Sequence, residues 1–137
     1  MNTELAFSFL KKLKKNNHKQ WFDAHRPEFE IIRMEFEEMV QALIFKPSSS
    51  EPDLAGLTPK DCIFRLYRDI RFSKDKTPYK THLSAFIAPG GRKAIKAGYY
   101  FHLEPGGSIL GGGIYMPPPE QLIKIRNQSE VNRNCIR

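Results

Sequence analysis

The sequence predicts an α+β fold in which N-terminal helices pack on one face of an antiparallel sheet of about four strands, followed by a short C-terminal helix. Three observations carry this. Apolar residues recur near every 3.6 positions up to about Phe45 and every second position beyond residue 61. Two turn signals, Pro89, Gly90, Gly91 and Pro105, Gly106, Gly107, separate the later strands. Helices first and a strand meander afterwards leave one sheet face for the helices to cover. The 137 residues read as a single domain spanning 1–137, with hydrophobic and charged shares of 40% and 27% that fit neither a disordered nor a membrane chain. At this length roughly two thirds of the unfolded surface is buried without a disulfide or metal staple.

Thr3 is placed as the cap of a first helix whose Ala6, Phe9, Leu10 and Leu13 share one face and which Asn16 and Asn17 stop. A second helical stretch covers Lys19 to Ala24. Pro27 suits the first turn of a third helix, because its missing N–H costs nothing there. That helix is predicted to run to about Phe45 with Phe29, Ile32, Phe36, Met39, Val40 and Leu43 as its core stripe. Residues 46–61, rich in Pro, Ser and Gly, read as a connection. Strands are predicted from Cys62 to Tyr67, Leu83 to Ala88, Gly98 to Glu104 and Ile109 to Met116, and a helix from Glu120 to Asn127. Pairing Glu104 with Ser108 across a three-residue loop sets Phe101, Tyr100 and Tyr99 opposite Gly111, Gly112 and Gly113, so that aromatic rings cover the strand glycines. Trp21 and Phe22 are expected to pin the helices to the sheet.

The net charge is +7, and residues 60–82 hold seven basic against three acidic side chains, more than half of the excess. Cys62 and Cys135 give no disulfide framework, and the lysines after the first apolar cluster reverse a signal peptide's charge order, so a reducing, cytoplasmic setting with no membrane span is expected.

The stretch from Arg65 to His82, RLYRDIRFSKDKTPYKTH, combines Arg forks with mobile Lys charges, a mixture suited to a phosphate-bearing anion. Arg65, Arg68, Arg71, Lys74, Lys76, Tyr79 and Lys80 are the candidate ligand-binding residues. Asp69, His82 and His102 are the candidate proton-transfer groups, His102 sharing a strand face with Tyr100 and Glu104. Against this stand the ordinary readings, a solvated loop with Asp69 and Asp75 paired to neighbouring cations and a strand histidine satisfied by Glu104. The four histidines lack a His or Cys partner at ligand spacing, so no metal site and no cofactor is expected. The triple glycine lacks the Lys-Ser or Lys-Thr of a P-loop.

Three long motifs, FLKKLKKNNHKQWFDAHRPEFE, DLAGLTPKDCIFRLYRDIRFSKDKTPYKTH and APGGRKAIKAGYYFHLEPGGSILGGGIYMP, resemble the signature of the domain of unknown function 2461 family of bacteria, fungi and plants. The likeness covers about residues 5–128. Family members continue past the position of Asn127 with further helices, whereas this chain ends in SEVNRNCIR, which suggests an incomplete version of a longer domain; the FKPSSSEP link is also shortened and polar. The resemblance implies a fold unit and transfers no mechanism.

Three functions compete. The favoured one is binding of a phosphate-bearing small molecule or nucleotide through the basic strand and loop. The alternatives are an enzyme acting on an anionic substrate by acid/base chemistry, and a basic surface for nucleic acid or an acidic protein partner. Neither an enzymatic activity nor an oligomeric state is assigned from the residues.

Overall fold

The computed structural model describes residues 1–114 and 117–135, of which 132–135 by their backbone alone. Helix α1 (Thr3–Lys15) is capped by Asn2 rather than Thr3: the Asn2 Oδ1 accepts from the Leu5 N–H at 3.1 Å, and Lys12, Lys14 and Lys15 sit in the last turn, where the helix dipole favours cations. Helices α2 (Lys19–Ala24) and α3 (Arg26–Ser48) follow, with Pro27 in the first turn of α3. Helix α3 passes the predicted end at Phe45 and buries Ile44 in addition to Phe29, Ile32, Phe36 and Val40. It stops where Pro47 can no longer continue it and where the hydroxyls of Ser48, Ser49 and Ser50 donate to the carbonyls of Phe45, Lys46 and Pro47. The serine run is a helix stop.

After a 3₁₀ turn at Pro52–Leu54, whose Leu54 is fully buried, comes the short helix α4 (Pro59–Cys62). Thr58 starts it: its N–H and hydroxyl both donate to the Asp61 Oδ2, at 2.9 and 2.7 Å. The predicted first strand therefore loses Cys62 to a helix. Residues 63–68 are extended, but they meet the returning chain only through isolated bridges, Ile63 with Ala85 and Tyr67 with Tyr79. The sheet has three strands rather than four: β1 (Leu83–Ile87), β2 (Gly98–Leu103) and β3 (Ile109–Gly113), antiparallel in that order. The end of the last predicted strand, Tyr115 and Met116, lies outside the described residues. Helix α5 (Pro119–Cys135) closes the described chain and extends beyond the predicted Asn127. Among the described residues, no helix is long and apolar enough to cross a membrane.

The alternation predicted over Cys62 to Tyr67 holds in part: Cys62 and Leu66 are buried and Arg65 and Tyr67 exposed, but Phe64, expected on the face of Cys62 and Leu66, is only half-buried, and Ile63 packs against the core instead. The ladder is broken between them. The Phe64 N–H donates to the Ser84 carbonyl and the Lys80 N–H to the Leu66 carbonyl, so the outgoing chain advances two residues where the returning chain spans four. The two surplus residues fall among Thr81, His82 and Leu83, a bulge that interrupts the ladder and re-aims the side chains it contains.

Leu83, Ala85 and Ile87 of β1 join Phe9, Leu13, Phe22, Ile32 and Phe36 in one core, with Phe101 and Leu103 of β2 against it. The helices thus cover β1 and lean on β2. They do not reach β3, where Ile109 and Leu110 are exposed. Phe22 pins α2 to the rest, stacked on Tyr79 at 4.3 Å and touching Phe9 and Phe29 edgewise or tilted. Asn17 completes that junction: its amide donates to the Tyr79 carbonyl at 2.8 Å and accepts from the Tyr79 N–H at 3.1 Å. Cys62, fully buried, has its thiol pushed up to about 11 by desolvation, then by the neighbouring Asp61 charge.

The β2–β3 register is one residue away from the predicted one. Phe101 faces Leu110, Tyr100 faces Gly111 and Tyr99 faces Gly112. The turn takes an extra residue because Ser108 leaves the ladder: its hydroxyl donates to the Glu104 carbonyl and accepts from the Glu104 N–H. The rings do not cover the glycines either, since a side chain built at Gly111 would meet nothing within 4 Å. Gly98 is different. A Cβ there would collide with the Ile87 carbonyl, the Ala88 Cβ at 2.7 Å and the Phe86 ring at 2.9 Å.

Urea unfolding is expected to separate these glycines. Gly98→Ala should cost about 1–3 kcal/mol from overpacking, whereas Gly111→Ala should change stability by less than about 0.5 kcal/mol. Asn17→Ala, which strips both partners from the buried Tyr79 backbone, should cost about 1–3 kcal/mol, and a midpoint equal to the parent's would contradict the clamp.

Candidate functional site

A cavity of about 730 Å³ opens between α3 and the extended segment that follows α4. Its floor is apolar, formed by Phe22, Phe29 and Phe36 with Ile63, Leu66 and Leu83. Its walls are basic. Arg26 and Arg33 come from α3, Lys60 from α4, Arg65 and Lys80 from the broken ladder, and Arg92 and Lys93 from the turn after β1, against the two acids Glu30 and Glu37. The helical period explains the α3 contribution, because residues 26, 30, 33 and 37 fall on one face.

The two helical arginines are already neutralised. Arg26 pairs with Asp23 at 3.0 Å, and Arg33 with Glu30 at 2.8 Å and, more loosely, Glu37 at 3.9 Å. Among the described residues, Lys60, Arg65, Lys80, Arg92 and Lys93 have no carboxylate at salt-bridge distance. Arg92 is held by backbone: its guanidinium donates to the Lys60 carbonyl at 2.5 Å and its N–H to the Asp61 carbonyl at 2.8 Å. Gly91 permits that approach, with a positive φ of 82° and the Asp61 carbonyl 2.8 Å from where a Cβ would lie. Lys80 lies over the Phe64 ring, and burial, then the Arg65 charge, push its ammonium below the usual lysine range. A desolvated cation beside a second cation is a site that an anion relieves.

Of the seven residues that the sequence marks for ligand binding, the cavity gathers two, Arg65 and Lys80. Tyr79, expected to bind ligand, is instead a core residue, 2% exposed, and does not line the cavity. Arg68 builds the loop that follows it, donating to the Asp75 Oδ2 at 2.7 Å, to the Thr77 carbonyl at 3.1 Å and to the Thr77 hydroxyl. Arg71 closes bidentately on Asp69 at 2.9 and 2.7 Å, and Lys76 donates to the Ile70 carbonyl at 2.8 Å. Lys74 is exposed. The Arg71 guanidinium and N–H hold the Asp69 carboxyl down at about 2, so Asp69 stays a charged, paired anion and has no proton to give. Sequence reasoning missed Lys60, Arg92 and Lys93, which stand apart from the dense string. Their signal was the pair of turn-forming stretches that flank them.

The two histidine candidates do come together, on the sheet face opposite the core. His82 and His102 stack with centroids 4.1 Å apart. His102 is gripped at both ring nitrogens, by the Tyr100 hydroxyl at Nδ1 (3.0 Å) and the Glu104 carboxylate at Nε2 (3.1 Å), and the Thr81 hydroxyl donates to the other Glu104 oxygen at 3.2 Å. Tyr100, His102 and Glu104 share a face because strand side chains alternate. Extending the register one step beyond Leu83 and Leu103 sets His82 across from Glu104. Burial, then the nearby His102 and Lys80 charges, depress His82 to about 4, against the opposing pull of Glu104, so its imidazole is neutral at pH 7. The His102 hydrogen bond holds the Glu104 carboxyl below the usual range.

No curated protein and no solved structure matches the chain. A family model does, over residues 5–137, which takes in all three of the long motifs and reaches past residue 128 to the last residue. The core residues of the helices, the broken ladder, the cavity and the histidine face fall inside that span, and the chain belongs to the DUF2461 family of conserved hypothetical proteins.

Proposed function

We propose that the protein binds a phosphate-bearing small molecule in the cavity between α3 and residues 60–67. The observation that carries this is the set of five cations, Lys60, Arg65, Lys80, Arg92 and Lys93, without carboxylate partners around an apolar floor. The volume of about 730 Å³ is within the usual range for small-ligand pockets, roughly 300–1,000 Å³. Arg65 and Arg92 offer planar forks for phosphate oxygens, Lys80 adds a mobile charge, and Phe64 and Tyr67 supply apolar wall for the body of a nucleotide-like ligand. The self-paired loop after Arg68 argues against a nucleic-acid track, because Arg68 and Arg71 would have to leave Asp75 and Asp69 before taking a phosphate.

Titration calorimetry with inorganic phosphate, pyrophosphate and a nucleotide set tests this. At least one should bind, and Arg65→Ala or Arg92→Ala should weaken it by about ten- to a hundredfold, the worth of a charge-assisted hydrogen bond. Lys74→Ala should leave the affinity unchanged. No binding across the set, or equal losses on Lys74→Ala and Arg65→Ala, would overturn the reading.

Affinity should also depend on pH in a defined direction. Anion binding favours the protonated form of Lys80, whose affinity for its proton is already lowered by burial and Arg65, so binding should weaken on raising pH earlier than for an ordinary lysine site. Lys80→Arg, which keeps the charge, should remove that pH dependence.

A further inference from the structure

Among the described residues, His82, His102 and Glu104 form a group of side chains able to hold a metal, with one ligand atom from each lying within 4.8 Å of the others. Nothing in the anion cavity requires this cluster. We propose that these three residues bind a divalent first-row transition metal, with Zn²⁺ the cation their two imidazoles and one carboxylate fit best.

The separation between the His102 Nε2 and the Glu104 Oε2 is 3.1 Å, close to the edge of a tetrahedron with ligands about 2.0–2.1 Å from its centre, roughly 3.3 Å. His82 closes the remaining gap by turning off its stack, since a third atom within 4.8 Å is about 1.5 Å too far at most. Two side chains outside the group orient it. The Tyr100 hydroxyl holds the far nitrogen of His102, and the Thr81 hydroxyl holds the far oxygen of Glu104, the outer partners that ligating imidazoles and carboxylates ordinarily have.

The protons balance. A His102 ring with its proton on Nε2 donates it to Glu104 and accepts from Tyr100 at Nδ1. With a metal at Nε2, that proton moves to Nδ1 and is donated to the Tyr100 oxygen, whose own hydrogen turns to solvent. No net proton is released from a neutral ring. Three protein ligands leave a fourth position for water or an anion, and Glu104 is 32% exposed, so solvent reaches it. Oxygen-seeking Mg²⁺ and Ca²⁺ are poorly served by two imidazoles.

The test is calorimetric titration of the chelator-stripped full chain with ZnCl₂, with CoCl₂ as an optical probe, followed by ¹⁵N imidazole spectra of the parent protein. One equivalent of Zn²⁺ should bind, shifting the His82 and His102 resonances and sparing His18 and His25. MgCl₂ should not compete. His82→Ala and His102→Ala should each lower affinity at least a hundredfold, and Tyr100→Phe, with its fold checked by circular dichroism, about ten- to a hundredfold. The absence of stoichiometric binding by the parent protein, or shifts at His18 or His25 with His82 and His102 unmoved, would overturn the proposal, and neither result needs a variant to fold.

Discussion

Tyr79 is the fixed point of this molecule. Its ring is buried on Phe22, and its backbone is held on both sides by the Asn17 side chain, which acts as one more strand partner contributed from the turn between α1 and α2. A buried peptide group needs its hydrogen bonds, and here a side chain supplies what the broken ladder does not. Because Tyr79 cannot slide, the chain leaving it has a set phase. Lys80 turns toward the cavity, the bulge falls at Thr81 to Leu83, and His82 arrives over His102. Both candidate sites inherit their geometry from that one junction, one on each side of the returning strand.

The helices were legible because their signal is periodic and local. Ala6, Phe9, Leu10 and Leu13 are all buried, and the Phe29 to Val40 stripe is core. The antiparallel sheet was legible for the same reason, as was the exposure of Arg65 in the extended segment before it. What escaped the sequence depends on contacts between distant segments. Asn2 outcompetes Thr3 as a cap by a matter of local geometry, but the loss of a fourth strand follows from the bulge, which alternation of side chains does not encode. The hairpin register slipped by one because the Ser108 hydroxyl takes both backbone groups of Glu104, a competition between side chain and ladder.

The site was legible in part, and for a physical reason. A charge count along the chain finds cations but says nothing of their counter-charges. Asp69 and Asp75 stand within a few residues of Arg71 and Arg68 and neutralise them at contact distance. Lys60, Arg92 and Lys93, far apart in sequence, meet Arg65 and Lys80 in space. The histidines show the converse. His82 and His102 are twenty residues apart and lack ligand spacing, yet an antiparallel register brings position 82 beside 102 and opposite 104. Proximity across a sheet replaces proximity along a helix.

The loop from Arg68 to Thr77 has a consequence for the protein's electric field. It carries four cations against two acids, but with Arg68 on Asp75 and Arg71 on Asp69 two of the four present short dipoles, whose field dies away faster with distance than that of free charges, and among the described residues only Lys74 and Lys76 keep an unbalanced charge. The cavity, by contrast, is lined by five cations without a carboxylate at salt-bridge distance among the described residues, a larger unbalanced charge than the loop retains. Arg68 and Arg71 are thus electrostatic bystanders despite their place in the densest basic string, and the cavity's charge is assembled from residues that no single stretch of sequence contains.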